Sequence, residues 1–471
     1  MAELARRCVL PGFVGPECPD WLTNQLGLGL GGVVLFGSNV AGPDELAQLT
    51  DRLHRAGEDV VIGMDEEGGE VTRLDALTGS AVPGAAALGN LDDETATAAV
   101  YATIGRRLAE TGVNVDIAPV ADVNANPRNP VIGVRSFGAE PALVARHVAA
   151  AVHGLQSAGV AACTKHFPGH GDTDTDSHRA VAVVSHSRRT LDEVDLPPFR
   201  AAVGAGSRAI MTGHLLVPSL DPQNIATLSL ATLTTLLRDE MGFTGAVITD
   251  ALEMQAVAAT VGMVAGAVQS LIAGADLICI GAAEYPGLVE DVVRAVAVAV
   301  DDGRLPWERL VEAAARARAL AHPVPGAPVA PLSPAEVSAV ASRAVRVDGP
   351  LPLLTKPQVL EFHPPNSIAA GPLPWSLAAR IAEWQPEAEV VSDPAQLDPN
   401  RDLVVVVRDA ARHPRQRRVL RELEGHPGAV AVEVGWPDPT PARLPTVHTF
   451  GTAPALLDAA AQLIFGDGAH Q

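Results

Sequence analysis

At 471 residues the chain is too long for one ordinary hydrophobic core and suits one barrel-sized domain followed by a smaller one. Hydrophobic residues make up 47% of it, enough for ample cores, while a formal charge of −21 argues against nucleic acid or an anionic membrane as partner. No segment approaches the ~20 apolar residues that span a bilayer, and "MAELARRCVLPGFVG" lacks a long apolar stretch with a cleavage site, so a cytoplasmic chain is expected.

Apolar runs bounded by turn residues recur at "CVLPGFVG" (8–15), "GVVLF" (32–36), "DVVIGMD" (59–65), "NVDIAPV" (114–120), "VAACTKH" (160–166), "RAIMTGH" (208–214), "GAVITD" (245–250) and "ADLICIG" (275–281). Most are continuously apolar, as in strands buried on both faces. Helix-period segments such as "PDELAQLTDRLHRAG", "TATAAVYATIGRRLAETG" and "PALVARHVAAAVHGLQSAG" lie between them. Strands alternating with helices imply parallel pairing, and eight such units predict a TIM-type (β/α)8 barrel over residues 1–322. The cysteines Cys8, Cys18, Cys163 and Cys279 show no paired spacing, so no disulfide framework is expected.

In such a barrel, chemistry belongs where strands end. Asp65 closes the third run, "PVADVNANPRNPVIGVRSFG" follows the fourth, and Lys165 with His166, His214 and Asp250 close the next three. The strand beginnings carry nothing comparable.

The Pro-rich run "LAHPVPGAPVAPLSP" then reads as a linker, centred on 323–334. Ser333, Pro334 and Glu336 supply an N-cap, a first-turn proline and a capping-box acid for the next helix. Beyond it "QVLEF", "EVVS", "DLVVVVRD", "AVAVEVG" and "TVHTF" alternate with helical segments, predicting a smaller α/β sandwich domain over 335–471. The run "RHPRQRRVLRE" reads as a solvated helix face.

"TKHFPGHGDTDTDSH", residues 164–178, brings one lysine, three histidines and three aspartates together. Lys165 is one of two lysines in a chain that otherwise uses arginine. A compact ammonium at a strand end suits donation to substrate hydroxyls or, alternatively, a Schiff base. His166, His170, Asp172 and His178 have a metal-ligand composition, but the glycines and proline make the stretch a loop without helix-face spacing. No metal and no cofactor are expected. A proton-transfer pair is the more economical reading: Asp176 fixes one nitrogen of His178, and the other nitrogen gives and takes a proton. Asp250 at the end of "GAVITD" either attacks a cationic carbon or caps a helix starting near Ala251.

The motifs "DEEGGEVTR", "NVDIAPVADVNANPRNPVIGVRSFG", "KHFPGHGDTDTDSH" and "VITDALEM", in chain order, are similar to those of the β-N-acetylhexosaminidase branch of glycoside hydrolase family 3, in its two-domain form. The resemblance implies a retaining exo-glycosidase that removes terminal β-linked N-acetylglucosamine from glycosides or cell-wall fragments. It places the nucleophile on Asp250 and the acid/base on His178, and assigns sugar contacts to Asp65, Arg73, Arg135, Lys165 and His166, with His170 and His214 near the pocket. Glu66 and Glu70 stand where the family commonly has Gln and Arg, which bears on preference beyond the first sugar. A neutral imidazole does not repel anionic acceptors as a carboxylate does, so phosphate is an expected alternative to water. A broader β-glucosidase, a lysine-dependent aldolase and a non-catalytic carbohydrate-binding protein remain as alternatives; the partner in each is a small molecule or oligosaccharide.

Overall fold

All eight N-terminal runs form strands in a computed structural model that describes residues 1–177, 180–281, 287–322 and 326–466. They are β1 (Val9–Pro11), β2 (Gly32–Leu35), β3 (Val61–Met64), β4 (Val115–Asp116), β5 (Ala161–Phe167), β6 (Ala209–Thr212), β7 (Ala246–Ile248) and β8 (Ile278–Ile280). β2 to β7 pair in parallel, each with the next. β8 pairs with β1 in parallel and meets β7 through an Ile248–Leu277 bridge. The Gly31 N–H donates to the Arg6 carbonyl, bringing the approach to β2 against that to β1.

Alternation along these short strands explains the continuous apolar runs. Leu10, Val34, Val61, Ala161, Met211 and Ile248 pack with one another inside the curled sheet, whereas Val9, Val33, Ile62, Ala162, Ile210 and Val247 face the surrounding helices. The three quoted helical segments form helices Pro43–Ala56, Glu94–Glu110 and Pro141–Ser157. Asp93 caps the second, its carboxylate accepting the Ala96 N–H at 3.0 Å.

The strand beginnings are not empty of charge, contrary to expectation. Asp276, just before β8, is fully buried and meets Arg238 and Arg309 at 2.6 Å each while accepting the Val247 N–H at 2.8 Å. Sequence distance hid this cluster, which ties two strands to two helices at the end of the barrel opposite the strand termini.

The helix Pro334–Ala344 starts with the capping box that Ser333 and Glu336 predict. The linker positions 323–325 lie outside the described residues, and 326–333 hold no helix or strand. A six-stranded sheet follows: β9 (Arg346–Asp348), β10 (Gln358–Glu361), β11 (Glu389–Val391), β12 (Leu403–Val407), β13 (Ala429–Glu433) and β14 (Thr446–His448), in the order β9-β14-β13-β12-β10-β11. Only β9, an edge strand, is antiparallel. Its sequence, "RVD", is too short and polar to signal a strand. Helices Leu377–Trp384 and Pro454–Phe465 cover one face of the sheet, and Pro414–Glu422 covers the other.

The two units share apolar surface. Val337 and Val340 of the connecting helix join the barrel core, while Ala341 and Ala344 pack with Ala86, Ala87 and Val134 of the barrel and with Ala453 and Leu456 of the second unit. No helix among the described residues is long and apolar enough to cross a membrane.

Candidate active site

Lys165 and His166 stand where β5 breaks step with β6, the pairing register shifting between Thr164 and Phe167. Such an irregularity re-aims side chains at a strand end. Lys165 Nζ lies 2.6 Å from Asp65 Oδ1 and 2.7 Å from Glu67 Oε1. Arg135 grips Glu67 with both prongs, donating from Nε at 2.9 Å and from Nη2 at 2.7 Å. Arg73 Nη2 lies 3.7 Å from Asp65 Oδ2. His166 Nδ1 is 2.7 Å from Asp122 Oδ2, and its Nε2 is 3.5 Å from Arg135 Nη2. A proton on Nδ1 satisfies both contacts, donating to the carboxylate and leaving Nε2 as acceptor.

Burial makes these pairings decisive. The Lys165 side chain is 2% exposed and that of Asp65 19%, so Asp65 forms the open edge of an otherwise closed network. Burial alone would raise the Asp65 carboxyl, but Lys165 and Arg73 outweigh it and hold it below the usual range. Glu67 is treated likewise by Arg135 and Lys165. Burial would lower the Lys165 ammonium, yet Asp65 and Glu67 push it above its ordinary value. Glu66 differs from its neighbours: burial raises it to about 7, against backbone N–H donation from Leu74 and Arg73.

The loop after β5 is fixed from several sides. Asp122 Oδ1 accepts the His170 N–H at 2.7 Å. The His170 ring, 1% exposed, meets Thr173 Oγ1 at 2.7 Å and Ser177 Oγ at 3.0 Å, and burial drives its pKa down to about 4. The residue therefore organises the loop as a neutral imidazole. His186 bridges Asp195 at 2.6 Å and Asp172 at 2.7 Å. Asp176 is half-buried and lines an interdomain cleft. His178 lies outside the described residues.

Two strands further round the same rim, Asp250 follows β7 and accepts the Ala251 N–H at 2.8 Å. No helix begins at Ala251, so the capping alternative does not describe it; the nearest helix is Gln255–Ala258. His214 spans Thr227 Oγ1 at 2.7 Å and the Ala251 carbonyl at 3.0 Å. Glu253 accepts the Gly281 N–H at 2.7 Å. Both fix the backbone that presents Asp250.

A cleft of about 470 Å³, open to solvent, separates the barrel mouth from the second unit, with Arg135, Asp176 and Glu70 on one wall and Asn366, Arg408 and Arg412 on the other. Arg408, at the end of β12, donates to Glu70 Oε2 and to Asn366 Oδ1. The Arg73 guanidinium donates to the Ala369 carbonyl at 2.8 Å. The second unit thus reaches the site, although no residue in its sequence stands out for such a role. Arg408 lies outside the run "RHPRQRRVLRE", within which Arg415 and Arg418 are indeed largely exposed while Arg417 pairs with Asp438.

Glu67, Asp122 and Arg408 are the residues that sequence reading passes over. Glu67 is one acid among four in "DEEGGE", and Asp122 sits in a polar loop. Arg408 carries the signal already used for the barrel, a charge at the end of a buried strand. Among the described residues no three His, Cys, Asp or Glu side chains group as metal binding needs.

Residues 17–320 match the glycosyl hydrolase family 3 N-terminal domain. The chain belongs to glycosyl hydrolase family 3. It is 32% identical over 377 residues to β-hexosaminidase A of Pseudoalteromonas piscicida, a match covering 72% of this chain and 63% of that relative, so it spans less than two-thirds of that protein. It is 37% identical over 277 residues to a β-hexosaminidase of Thiobacillus denitrificans, covering 56% of this chain and 74% of that one. Among solved structures, a family 3 β-N-acetylglucosaminidase from Paenibacillus sp. str. FPU-7 superimposes with a TM-score of 0.88 at 32% identity, over 99% of this chain and 96% of the other. That likeness takes in the second unit as well as the family 3 barrel.

Proposed function

We propose that this chain is a retaining, exo-acting β-N-acetylglucosaminidase that releases terminal β-linked N-acetylglucosamine from glycosides or oligosaccharides. The reading rests on the buried network of Asp65, Lys165, Glu67, Arg135, His166 and Asp122 at the barrel strand ends, with Asp65 at its open edge. Donors and acceptors held in this way meet sugar hydroxyls without reorganising, which is what differential binding of a transition state requires.

In the first step the Asp250 carboxylate attacks the anomeric carbon while His178 protonates the departing oxygen. In the second, His178 takes a proton from water, which displaces the Asp250 carboxylate. Asp176 orients the imidazole throughout. Asp65, Arg73, Arg135, Lys165 and His166 hold the sugar and its acetamido group, and His170 and His214 position the backbone around it. Phosphate competes with water in the second step, because a neutral imidazole does not repel it, and the product is then the sugar 1-phosphate.

The lysine-dependent aldolase fares worse on the same geometry. An ammonium kept protonated between two carboxylates has no lone pair with which to form a Schiff base.

Activity on a chromogenic β-N-acetylglucosaminide beside the matching β-glucoside tests the reading, with products assayed with and without phosphate. His178→Ala is expected to lower kcat/KM by about 10²- to 10⁴-fold. A slow fluorinated substrate should leave a covalent sugar on Asp250. Equal rates on both glycosides point instead to a broader glucosidase, and label on another residue overturns the nucleophile assignment.

A further inference from the structure

Glu70 is 8% exposed and ends on Arg408, which reaches it from the other unit. Its second oxygen, Oε1, is buried and accepts no hydrogen bond from any described residue. A buried acceptor left without a donor is costly, and the wall on which it stands belongs to an open polar cleft. Arg408 and Asn366 share that cleft; Arg408 carries N–H groups beyond the two it gives to Glu70 and Asn366, while the Asn366 amide donates to the Gly371 and Leu373 carbonyls.

The cleft also fixes which part of a substrate would lie there. Thr175 and Asp176, from the loop proposed to protonate the departing oxygen, line the same space. The group that departs must sit beside its acid. The terminal sugar, held at Asp65 and Lys165, closes the inner end, so a longer substrate extends only outward between the two units.

We propose that Glu70, Arg408 and Asn366 form a leaving-group subsite built across the two units, which binds the hydroxyl and amide groups of the sugar next to the bond that breaks. Glu70 Oε1 accepts from that sugar and the Arg408 guanidinium donates to it, while Asn366 positions the guanidinium by accepting from it through Oδ1. The barrel loop supplies the anion of this pair, and the second unit supplies the cation. The inference rests on the glycosidase reading above and deepens it.

The test compares kcat/KM on a β-1,4-linked N-acetylglucosamine disaccharide with kcat/KM on an aryl β-N-acetylglucosaminide, whose leaving group offers no such hydroxyls. In Glu70→Gln and in Asn366→Ala the ratio of disaccharide to aryl substrate should fall about tenfold, chiefly through a higher KM for the disaccharide. Asn366→Ala removes no charge and keeps the test available if the Glu70 variant does not fold. A parent enzyme active on the aryl glycoside, with ratios in the folded variants within about twofold of its own, overturns the subsite alone. A parent inactive on both substrates overturns the glycosidase reading and the subsite with it.

Discussion

Removing the ammonium of Lys165 leaves Asp65 and Glu67 without their shared counter-charge inside a closed network. Lys165→Met is therefore expected to cost about 3–5 kcal/mol of stability, read by chemical denaturation, besides its loss of activity. Lys165→Arg is no conservative change, since a planar fork does not fit where a compact ammonium meets two carboxylates. Glu66 behaves in the opposite way. Its Oε2 takes two backbone N–H groups, its Oε1 has no hydrogen-bond partner among the described residues, and Asp116, which accepts the Glu66 N–H at 3.0 Å, likewise leaves one buried oxygen without a partner among them. With a folded pKa of about 7 against an ordinary 4.5, Glu66 holds its proton more tightly when folded, so stability declines as pH rises through that window. Glu66→Gln should remove the pH-linked loss, its advantage over the parent growing between pH 5 and pH 8 by on the order of 3 kcal/mol. An advantage that stays flat with pH would refute the buried-acid account.

The loop that follows β5 is held by side chains that the sequence presents as an undivided polar cluster. His186 is the clearest case: its hydrogen bond to Asp195, and then that to Asp172, raise it to about 9 from an ordinary 6.5 despite partial burial. A histidine raised on folding contributes stability in full below pH 6.5 and loses it as pH rises through 9. Limited proteolysis within 168–177 should accordingly accelerate between those limits in the parent, while His186→Gln should cleave quickly at both ends. A parent whose loop is equally resistant throughout would show that the His186 bridge does not hold it. The eight strand ends were legible because buried runs and turn residues mark them. His186 was not, because its partners are other loop residues and no period relates them.

Leu456 shows how the two units are joined. It is fully buried in a cluster that also contains Ala86, Ala87 and Val134 of the barrel and Ala341 of the connecting helix. Leu456→Ala is expected to cost about 2–5 kcal/mol and to shift thermal unfolding of both units together, measured by calorimetry. Separate transitions, with the barrel's unmoved, would show that the shared surface does not couple them. The capping box at Ser333 foretold where the connecting helix starts, but not that its two faces would serve two cores. Arg408 stands 338 residues from Glu70, and no local pattern announces a pairing over that distance.

The sequence by itself determined the alternation of buried strands and amphipathic helices, and with it the rim at which Asp65, Lys165, His166, His214 and Asp250 emerge, because burial and backbone periodicity are local properties. Tertiary structure alone decided which charges neutralise which: Glu67 between Lys165 and Arg135, Asp122 behind His166, and Arg408 across the cleft on Glu70. An ion pair is selected by where folding leaves two buried groups, and that placement depends on the packing of the whole chain.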